Sequence, residues 1–313
     1  MNFLKLIRFP NLLIIVLTQM LVRWCLIQPM LAFRQLSPAF SDFQFSLLVL
    51  STVLIAAAGY IINDYYDTDA DQINKPEKVI IGKSIGKSTA LFFYWSFNII
   101  AVLAGFYLGF KMNMPNLVTI QLLSCGMLWF YSESYKKMLL VGNLVIAVLA
   151  ALVPLLVGVY ELIAERGTGA VLSPYFPYST IPLFITGYAL FAFLTTLTRE
   201  IIKDIEDTEG DRADNCTTLP IVWGTNAAKF IIIFLCIVMI SLLGYVEFNQ
   251  VMTKDYISFS YFLILVQFPL LYLMYIVARA QTKTAYHFAS SVTKFIMLTG
   301  TMSMLVFYLT VRV

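Results

Sequence analysis

Residues 44–71 of the chain read QFSLLVLSTVLIAAAGYIINDYYDTDAD. Residues 44–63 are almost entirely apolar and, as a helix, are long enough to cross about 30 Å of hydrocarbon. Four aspartates follow at once, at positions 64, 67, 69 and 71. An apolar run that ends directly in closely spaced carboxylates predicts a membrane helix with a polar site at its end.

The composition indicates a membrane protein as a whole. The chain has 313 residues, of which 60% are hydrophobic and 12% are charged, and its mean hydropathy is +0.81. No polar region is large enough to fold separately, so one domain over residues 1–313 is predicted. The four cysteines have no paired spacing, which argues against a disulfide framework or a zinc site. A net charge of +3 gives no indication of nucleic acid as a partner.

Apolar runs recur along the entire chain and predict an all-α, polytopic membrane bundle of about nine transmembrane helices. The first run is longer than the core of a signal peptide and is expected to remain as a span. The fourth run is short, so the count is approximate. The predicted spans are residues 10–28, 44–63, 89–110, 117–131, 139–160, 180–198, 227–246, 258–279 and 290–310.

The basic residues predict the orientation of these spans. With the N-terminus on the cytoplasmic side, 15 of the 21 lysines and arginines fall on that side and six on the other. Short cytoplasmic loops are enriched in Lys and Arg, which agrees with this assignment. We therefore expect an integral protein of the cell (inner) membrane, in contact with the lipid bilayer, whose N-terminus is cytoplasmic.

The acidic residues concentrate in two segments on the same predicted side. Residues 64–77 and 200–214 contain 12 of the 18 aspartates and glutamates. If each helix continues, a rotation of about 100° per residue places positions i, i+3 and i+7 on one face. The two trios with this spacing are Asp64, Asp67 and Asp71, and Asp204, Asp207 and Asp211.

Three carboxylates on one helix face repel one another, and charge near the bilayer is costly, so a cation is expected to compensate. Mg²⁺ fits because it prefers oxygen ligands and commonly combines carboxylates with substrate phosphates. Both trios are therefore predicted to be catalytic and metal-binding, and two Mg²⁺ ions would clamp a diphosphate between them. The alternative is a pair of solvated acidic loops. The EF-hand pattern is absent.

Basic residues stand near both acidic segments. Lys78 follows the first, Lys136 closes the fourth span, and Arg212 flanks the second. These side chains could neutralise a diphosphate beside the metal ions, or they could reflect only the excess of positive charge on cytoplasmic loops. His287 is expected to be an ordinary residue of the eighth loop rather than a base or ligand.

The two acidic segments resemble the signatures of the UbiA-type superfamily of intramembrane prenyltransferases. The first signature, N-D-x-x-D-x-x-x-D, begins at Asn63, and the second, K-D-x-x-D-x-x-G-D-R, begins at Lys203. A Y-[ST]-x-x-x-K pattern between them begins at Tyr131. One departure is that Lys78 stands where the family often has Arg-Pro after its Asn-x-Pro segment.

The resemblance implies a nine-helix bundle with a central cavity, two Mg²⁺ ions on the Asp motifs and a polyprenyl diphosphate donor. It implies ionisation of the allylic C–O bond and capture of the cation by a lipophilic acceptor. The expected diphosphate-binding residues are Asn63, Lys78, Tyr131, Lys136, Lys203 and Arg212.

The acceptor is less clearly indicated. The first half is similar to the branch that resembles geranylgeranylglycerol-phosphate geranylgeranyltransferases, which favours a glyceryl phosphate lipid. An aromatic quinone precursor of the 4-hydroxybenzoate or dihydroxynaphthoate type is the alternative. Among other classes, a transporter would carry charges inside its spans, where few occur here. The D-G-x-x-A-R signature of CDP-alcohol phosphotransferases is absent from the sequence.

Overall fold

The computed structural model describes residues 2–68, 79–168 and 180–311. Within these residues the chain is helical and forms no strand apart from an isolated bridge between Ile81 and Ile85, which confirms the predicted all-α class. The helices are α1 (Asn2–Leu6), α2 (Phe9–Leu21), α3 (Gln28–Phe33), α4 (Asp42–Tyr66), α5 (Lys87–Lys111), α6 (Val118–Glu133), α7 (Val141–Thr168), α8 (Thr180–Glu206), α9 (Thr208–Ala213), α10 (Leu219–Val222), α11 (Thr225–Met252), α12 (Tyr256–Phe262), α13 (Phe268–Arg279) and α14 (Lys283–Val311).

Two π-helical turns connect neighbouring helices without interrupting a span. The turn Val22–Ile27 joins α2 to α3, and the turn Leu263–Gln267 joins α12 to α13. The first span therefore covers Phe9–Phe33 and the seventh of the eight long spans covers Tyr256–Arg279. Such turns contain i→i+5 hydrogen bonds and change the direction in which the following side chains point.

Eight helical segments of the described residues are long and apolar enough to cross a membrane. The predicted fourth span corresponds to α6, whose 16 residues extend only about 24 Å. The predicted helical membrane bundle is thus confirmed. Eight of the nine predicted spans correspond to helices that are long enough to cross the membrane. The remaining one, α6, is too short to cross by its own length. Several helices also extend beyond the predicted runs because their polar ends continue as helix; α8 reaches Glu206 rather than residue 198.

Contacts divide the chain into two compact units, and the prediction of one domain stays a prediction. Unit 1 contains residues 1–20, 36–136 and 156–176. In it α4 packs closely on α5 and α6 because small residues line the contact. A Cβ atom on Gly59 would lie 2.8 Å from Leu128, and the Ser51 hydroxyl donates a 2.9 Å hydrogen bond to the Ala101 carbonyl.

Unit 2 contains residues 21–35, 137–155 and 177–313. Helices α8 and α14 run antiparallel in it. The Tyr188 and Ser303 hydroxyls are 2.8 Å apart, and a Cβ atom on Gly300 would lie 2.2 Å from the Phe191 ring. At the opposite end of the pair, Glu206 contacts a residue near the start of α14. The core of this unit places the second acidic segment at the end of α8.

Candidate active site

The first acidic segment begins inside α4. The helix includes Asn63 and Asp64 and ends at Tyr66, and Asp67 follows as its C-cap with helical backbone angles. The Asp67 amide donates to the Asn63 carbonyl at 3.0 Å, so the i, i+3 spacing of Asp64 and Asp67 is retained on one face. Asp71 and Lys78 lie outside the described residues, and their predicted roles stay predictions.

Asp64 and Asp67 each have a cationic partner in unit 1. Arg8 donates to Asp64 at 3.1 Å, and its guanidinium lies 4.8 Å from the centre of the Tyr60 ring. Lys136 forms an ion pair with Asp67. The contact between Lys136 and Asp67 joins two parts of the sequence that the motifs singled out separately.

Asn63 acts on the carboxylate that follows it. Its side-chain amide donates to Asp67 at 3.0 Å, so Asp67 has both an amide and an ammonium donor. Lys136 belongs to a 3-10 turn, Tyr135–Lys137, that follows α6, and Tyr131 lies half-buried near the end of α6. The structure therefore brings Asn63, Asp67 and Lys136 together.

The second acidic segment lies at the junction of α8 and α9. Helix α8 ends at Glu206, and Asp207 has φ −100° and ψ 9° before α9 begins at Thr208. The predicted continuous face of three aspartates is therefore interrupted at Asp207. Asp211 lies on α9, where its carboxylate accepts a 3.2 Å hydrogen bond from the Thr218 hydroxyl.

Other contacts in unit 2 hold the first two aspartates of this segment. Asn143, in the first turn of α7, donates to Asp204 at 2.8 Å. Lys283, at the start of α14, lies 3.9 Å from Asp207. Asp211 is also an electrostatic neighbour of Asp204. Asp204 and Asp211 thus remain near each other although the helix face is broken.

The segment after α9 is held by two hydrogen bonds from Thr217 and contains a glycine with positive φ. The Thr217 amide donates to the Lys137 carbonyl at 2.7 Å, and the Thr217 hydroxyl donates to the same oxygen at 2.9 Å. Gly224 follows with φ +85°, a conformation that favours glycine, and α11 starts at the next residue. Thr217 and Gly224 thus shape the segment that follows the second motif.

The predicted diphosphate ligands of unit 2 differ in position. Lys203 donates to both oxygens of Glu200, at 2.8 and 3.1 Å, and is an electrostatic neighbour of Asp204. Arg212 is exposed on α9. His287 was wrongly placed in a loop: it lies in α14, and its Nδ1 is 2.9 Å from Glu206. The hydropathy pattern did not predict this start of the helix, because the first turns of α14 are polar.

Sequence reasoning missed Arg8, Asn143 and Lys283. Arg8 and Asn143 bind aspartates that are 56 and 61 residues away, so no local sequence pattern predicts these pairs. A signal was present for Asn143, since an amide among the apolar residues of a predicted span requires a polar partner.

The oxygen-rich ligand set fits Mg²⁺. Within residues 2–68, 79–168 and 180–311, no three or more acidic, histidine or cysteine side chains form a metal-holding group by themselves. Mg²⁺ typically uses one or two carboxylates and completes its shell with water and substrate phosphate. Asp64 with Asp67, and Asp204 with Asp207, supply this number from each motif. Convergence of the two motifs on one cavity stays a prediction.

Comparisons with known proteins agree with these motifs. Residues 25–300 match the model of the UbiA prenyltransferase family. A digeranylgeranylglyceryl phosphate synthase from Methanosphaera stadtmanae is 30% identical over 249 residues, covering 80% of this chain and 82% of that protein.

Two solved structures share the fold. One, of a digeranylgeranylglyceryl phosphate synthase, has a TM-score of 0.65 at 22% identity and covers 99% of this chain and 98% of its own. The other, a UbiA homologue from Archaeoglobus fulgidus bound to GPP and Mg²⁺, has a TM-score of 0.52 at 15% identity and covers 97% and 99%.

Proposed function

The chain belongs to the UbiA prenyltransferase family, and we propose that it transfers a geranylgeranyl group from geranylgeranyl diphosphate to geranylgeranylglyceryl phosphate within the membrane. It is a membrane-embedded prenyltransferase of isoprenoid lipid synthesis. The observation that supports the lipid acceptor is the alignment, over four-fifths of each chain, with a relative named digeranylgeranylglyceryl phosphate synthase.

The proposed reaction exchanges one C–O bond for another. The bond between C1 of the geranylgeranyl chain and the diphosphate oxygen breaks, and the electron pair stays with the diphosphate. The free glycerol hydroxyl of the acceptor bonds to C1 through its oxygen and gives its proton to the departing diphosphate. Charge therefore builds on the leaving group, which is where stabilisation accelerates the reaction.

The aspartates would hold two Mg²⁺ ions, one for each motif. When bound, Mg²⁺ neutralises the charge that develops on the diphosphate. The ligands would be Asp64, Asp67, Asp71, Asp204, Asp207 and Asp211. The ion pair of Lys136 with Asp67 supports this assignment, because the Asp67 carboxylate already has a cationic partner.

The basic residues would bind the diphosphate oxygens. Lys136 stands closest to the first motif, and its ammonium is available to a phosphate once a metal ion takes over Asp67. Arg8 occupies the equivalent position beside Asp64 and joins the proposed set. The remaining members of the set are Asn63, Lys78, Tyr131, Lys203 and Arg212.

The distribution of basic residues supports one orientation in the membrane. We propose that the N-terminus and both Asp motifs face the cytoplasm, because that arrangement puts 15 of the 21 basic residues on the cytoplasmic side. A diphosphate donor is water-soluble at its head, so a motif at the cytoplasmic surface is accessible to it. The cell (inner) membrane is the proposed location.

The test is turnover in vesicles with labelled geranylgeranyl diphosphate, Mg²⁺ and three acceptors: geranylgeranylglyceryl phosphate, 4-hydroxybenzoate and dihydroxynaphthoate. We expect product only with the glyceryl phosphate, and loss of at least a hundredfold in rate for Asp67→Asn and Asp207→Asn. Asp255→Asn, at the N-cap of α12, serves as the matched control. Product on an aromatic acceptor would overturn the lipid assignment, and full activity of either motif variant would overturn its metal role.

A further inference from the structure

Three basic side chains lie on the paired helices α8 and α14, at or next to the start of the second acidic motif. Arg199 and Lys203 are on α8, Lys294 is on α14, and we call them the basic group. Arg199 and Lys203 are electrostatic neighbours of Lys294, so the three cations occupy one region of unit 2. All of them lie within helices long and apolar enough to span the membrane.

Three carboxylates, those of Glu200, Asp204 and Glu206, are electrostatic neighbours of members of the basic group. Arg199 donates to Glu200 at 2.9 Å, and Lys203 donates to the same carboxylate at 2.8 Å. One glutamate therefore serves two cations. Lys294 has no ion pair within 4 Å among the described residues, and the next carboxylate, Glu206, is in contact with His287.

A cationic side chain without an ion-pair partner at the end of a membrane helix can bind an anion. Arginine and lysine are the side chains that bind phosphate through charge-assisted hydrogen bonds. Lys294 is exposed on α14, which leaves its ammonium accessible. The basic group therefore has the composition of a phosphate site.

A buried hydroxyl continues the same face of α8 deeper into the helix. Thr196 precedes Lys203 by seven residues, which places the two about 20° apart around the helix. Thr196 is 4% exposed, and its hydroxyl forms no hydrogen bond with the described residues. Its neighbours Thr195 and Thr198 instead donate to carbonyls in the preceding turn, at 2.7 and 2.8 Å.

The order of side chains along this face matches an amphiphile. Lys203 is followed seven residues deeper by Thr196, and seven residues deeper again by Ala189, which is buried and apolar. A ligand with a phosphate at one end, neutral oxygens next to it and a hydrocarbon chain beyond would meet a suitable side chain at each level. A free diphosphate would use only the first level.

We infer that Arg199, Lys203 and Lys294 bind the phosphate monoester of the lipid acceptor, and that Thr196 donates to a neutral oxygen of its glycerol. The identification of the ligand as the acceptor rests on the proposed function. Lys203, which donates to Glu200, is thereby assigned to the acceptor's phosphate in place of the donor's diphosphate. The donor's diphosphate is left to the aspartates, Lys136 and Arg8.

Binding in Mg²⁺-free detergent solution tests this inference without turnover. The probes are geranylgeranylglyceryl phosphate, unphosphorylated geranylgeranylglycerol and geranylgeranyl diphosphate, measured by quenching of tryptophan fluorescence. We expect Lys294→Gln and Arg199→Gln each to weaken the phosphate lipid about tenfold and the unphosphorylated lipid hardly at all. Lys254→Gln, on an exposed lysine after α11, should change nothing.

A second variant gives an effect in the opposite direction, which damage to the fold would not produce. Glu200→Gln removes the carboxylate that competes for Arg199 and Lys203. We expect it to tighten binding of the phosphate lipid several-fold, and Lys294→Arg to restore the affinity lost in Lys294→Gln.

Three results would overturn the inference. The first is an unchanged affinity of Lys294→Gln and Arg199→Gln for geranylgeranylglyceryl phosphate. The others are an equal loss of affinity for the phosphorylated and unphosphorylated lipids, or a loss confined to geranylgeranyl diphosphate. Failure of the proposed function looks different. In that case the wild-type protein would not convert geranylgeranylglyceryl phosphate during turnover, whatever the basic group binds.

Discussion

Single side chains pair with the aspartates of the first motif. Asp67 accepts from Asn63 at 3.0 Å and pairs with Lys136, while Asp64 accepts from Arg8 at 3.1 Å. A carboxylate at the edge of a membrane helix is costly when unpaired, so these donors stabilise it. They also limit its rotation, which keeps its oxygens placed for a cation.

Asn143 is the residue whose removal tests this idea at the second motif. Its amide donates to Asp204 at 2.8 Å, so Asn143→Leu leaves that carboxylate without its orienting donor. We expect the Mg²⁺ concentration for half-maximal activity to rise about tenfold, because partners that orient metal ligands contribute on this scale. The measurement is a Mg²⁺ titration of initial rates at saturating donor.

Asn226→Leu is the control for that experiment, since Asn226 is exposed in the first turn of α11. A wild-type Mg²⁺ requirement in Asn143→Leu, with the fold preserved, would show that Asp204 does not need the amide.

At the scale of helices, close contacts between small residues hold each unit together. The antiparallel pair α8 and α14 depends on Gly300, where a Cβ atom would lie 2.2 Å from Phe191. The hydrogen bond between Tyr188 and Ser303 lies less than one turn away from Gly300 along α14. Helices in a membrane gain stability from such packing because lipid offers no hydrophobic driving force between them.

Gly300→Ala should therefore destabilise unit 2. The ring of Phe191 must shift to admit the methyl group, at a cost of about 1–3 kcal/mol in the free energy of unfolding. Thermal unfolding in detergent, followed by circular dichroism, measures the change. Gly244→Ala is the matched control, because a Cβ atom on Gly244 of α11 would have nothing within 4 Å.

An alanine at 244 should be neutral or slightly stabilising, since alanine favours a helix more than glycine by about 1 kcal/mol. If Gly300→Ala unfolded at the same temperature as that control, the tight packing of α8 on α14 would not contribute to stability.

Helices and motifs differ in how far the sequence alone predicts them. The span that ends at Asn63 was predicted because its composition is nearly uniform, and Lys136 was singled out by its spacing from Tyr131. The break at Asp207 was not predicted, since helical spacing alone does not reveal where a helix ends. Long-range partners such as Asn143 were also missed, because pairing across 61 residues depends on the fold.

For the whole molecule, the distribution of basic residues predicts which end of the spans faces the cytoplasm. We expect Ala213→Cys, exposed on α9, to react with a membrane-impermeant maleimide only from the cytoplasmic side. Lys254→Cys, exposed after α11, should react only from the opposite side. Each is introduced into a chain whose four cysteines are replaced by serine.

Labelling of right-side-out and inverted vesicles gives the two readouts for each variant. The reverse pattern would invert the proposed orientation, and labelling of both positions from one side would contradict the number of crossings between residues 213 and 254.

The π-helical turn Val22–Ile27 affects more than its own six residues. One residue added to a regular helix turns everything after it by about 100°. The first span therefore presents one side to its neighbours before the turn and a different side after it, although the helix is continuous. Assignment of residues to units changes between Met20 and Leu21, directly before this turn. One inserted residue thus allows a single continuous helix to pack with different side chains before and after the turn.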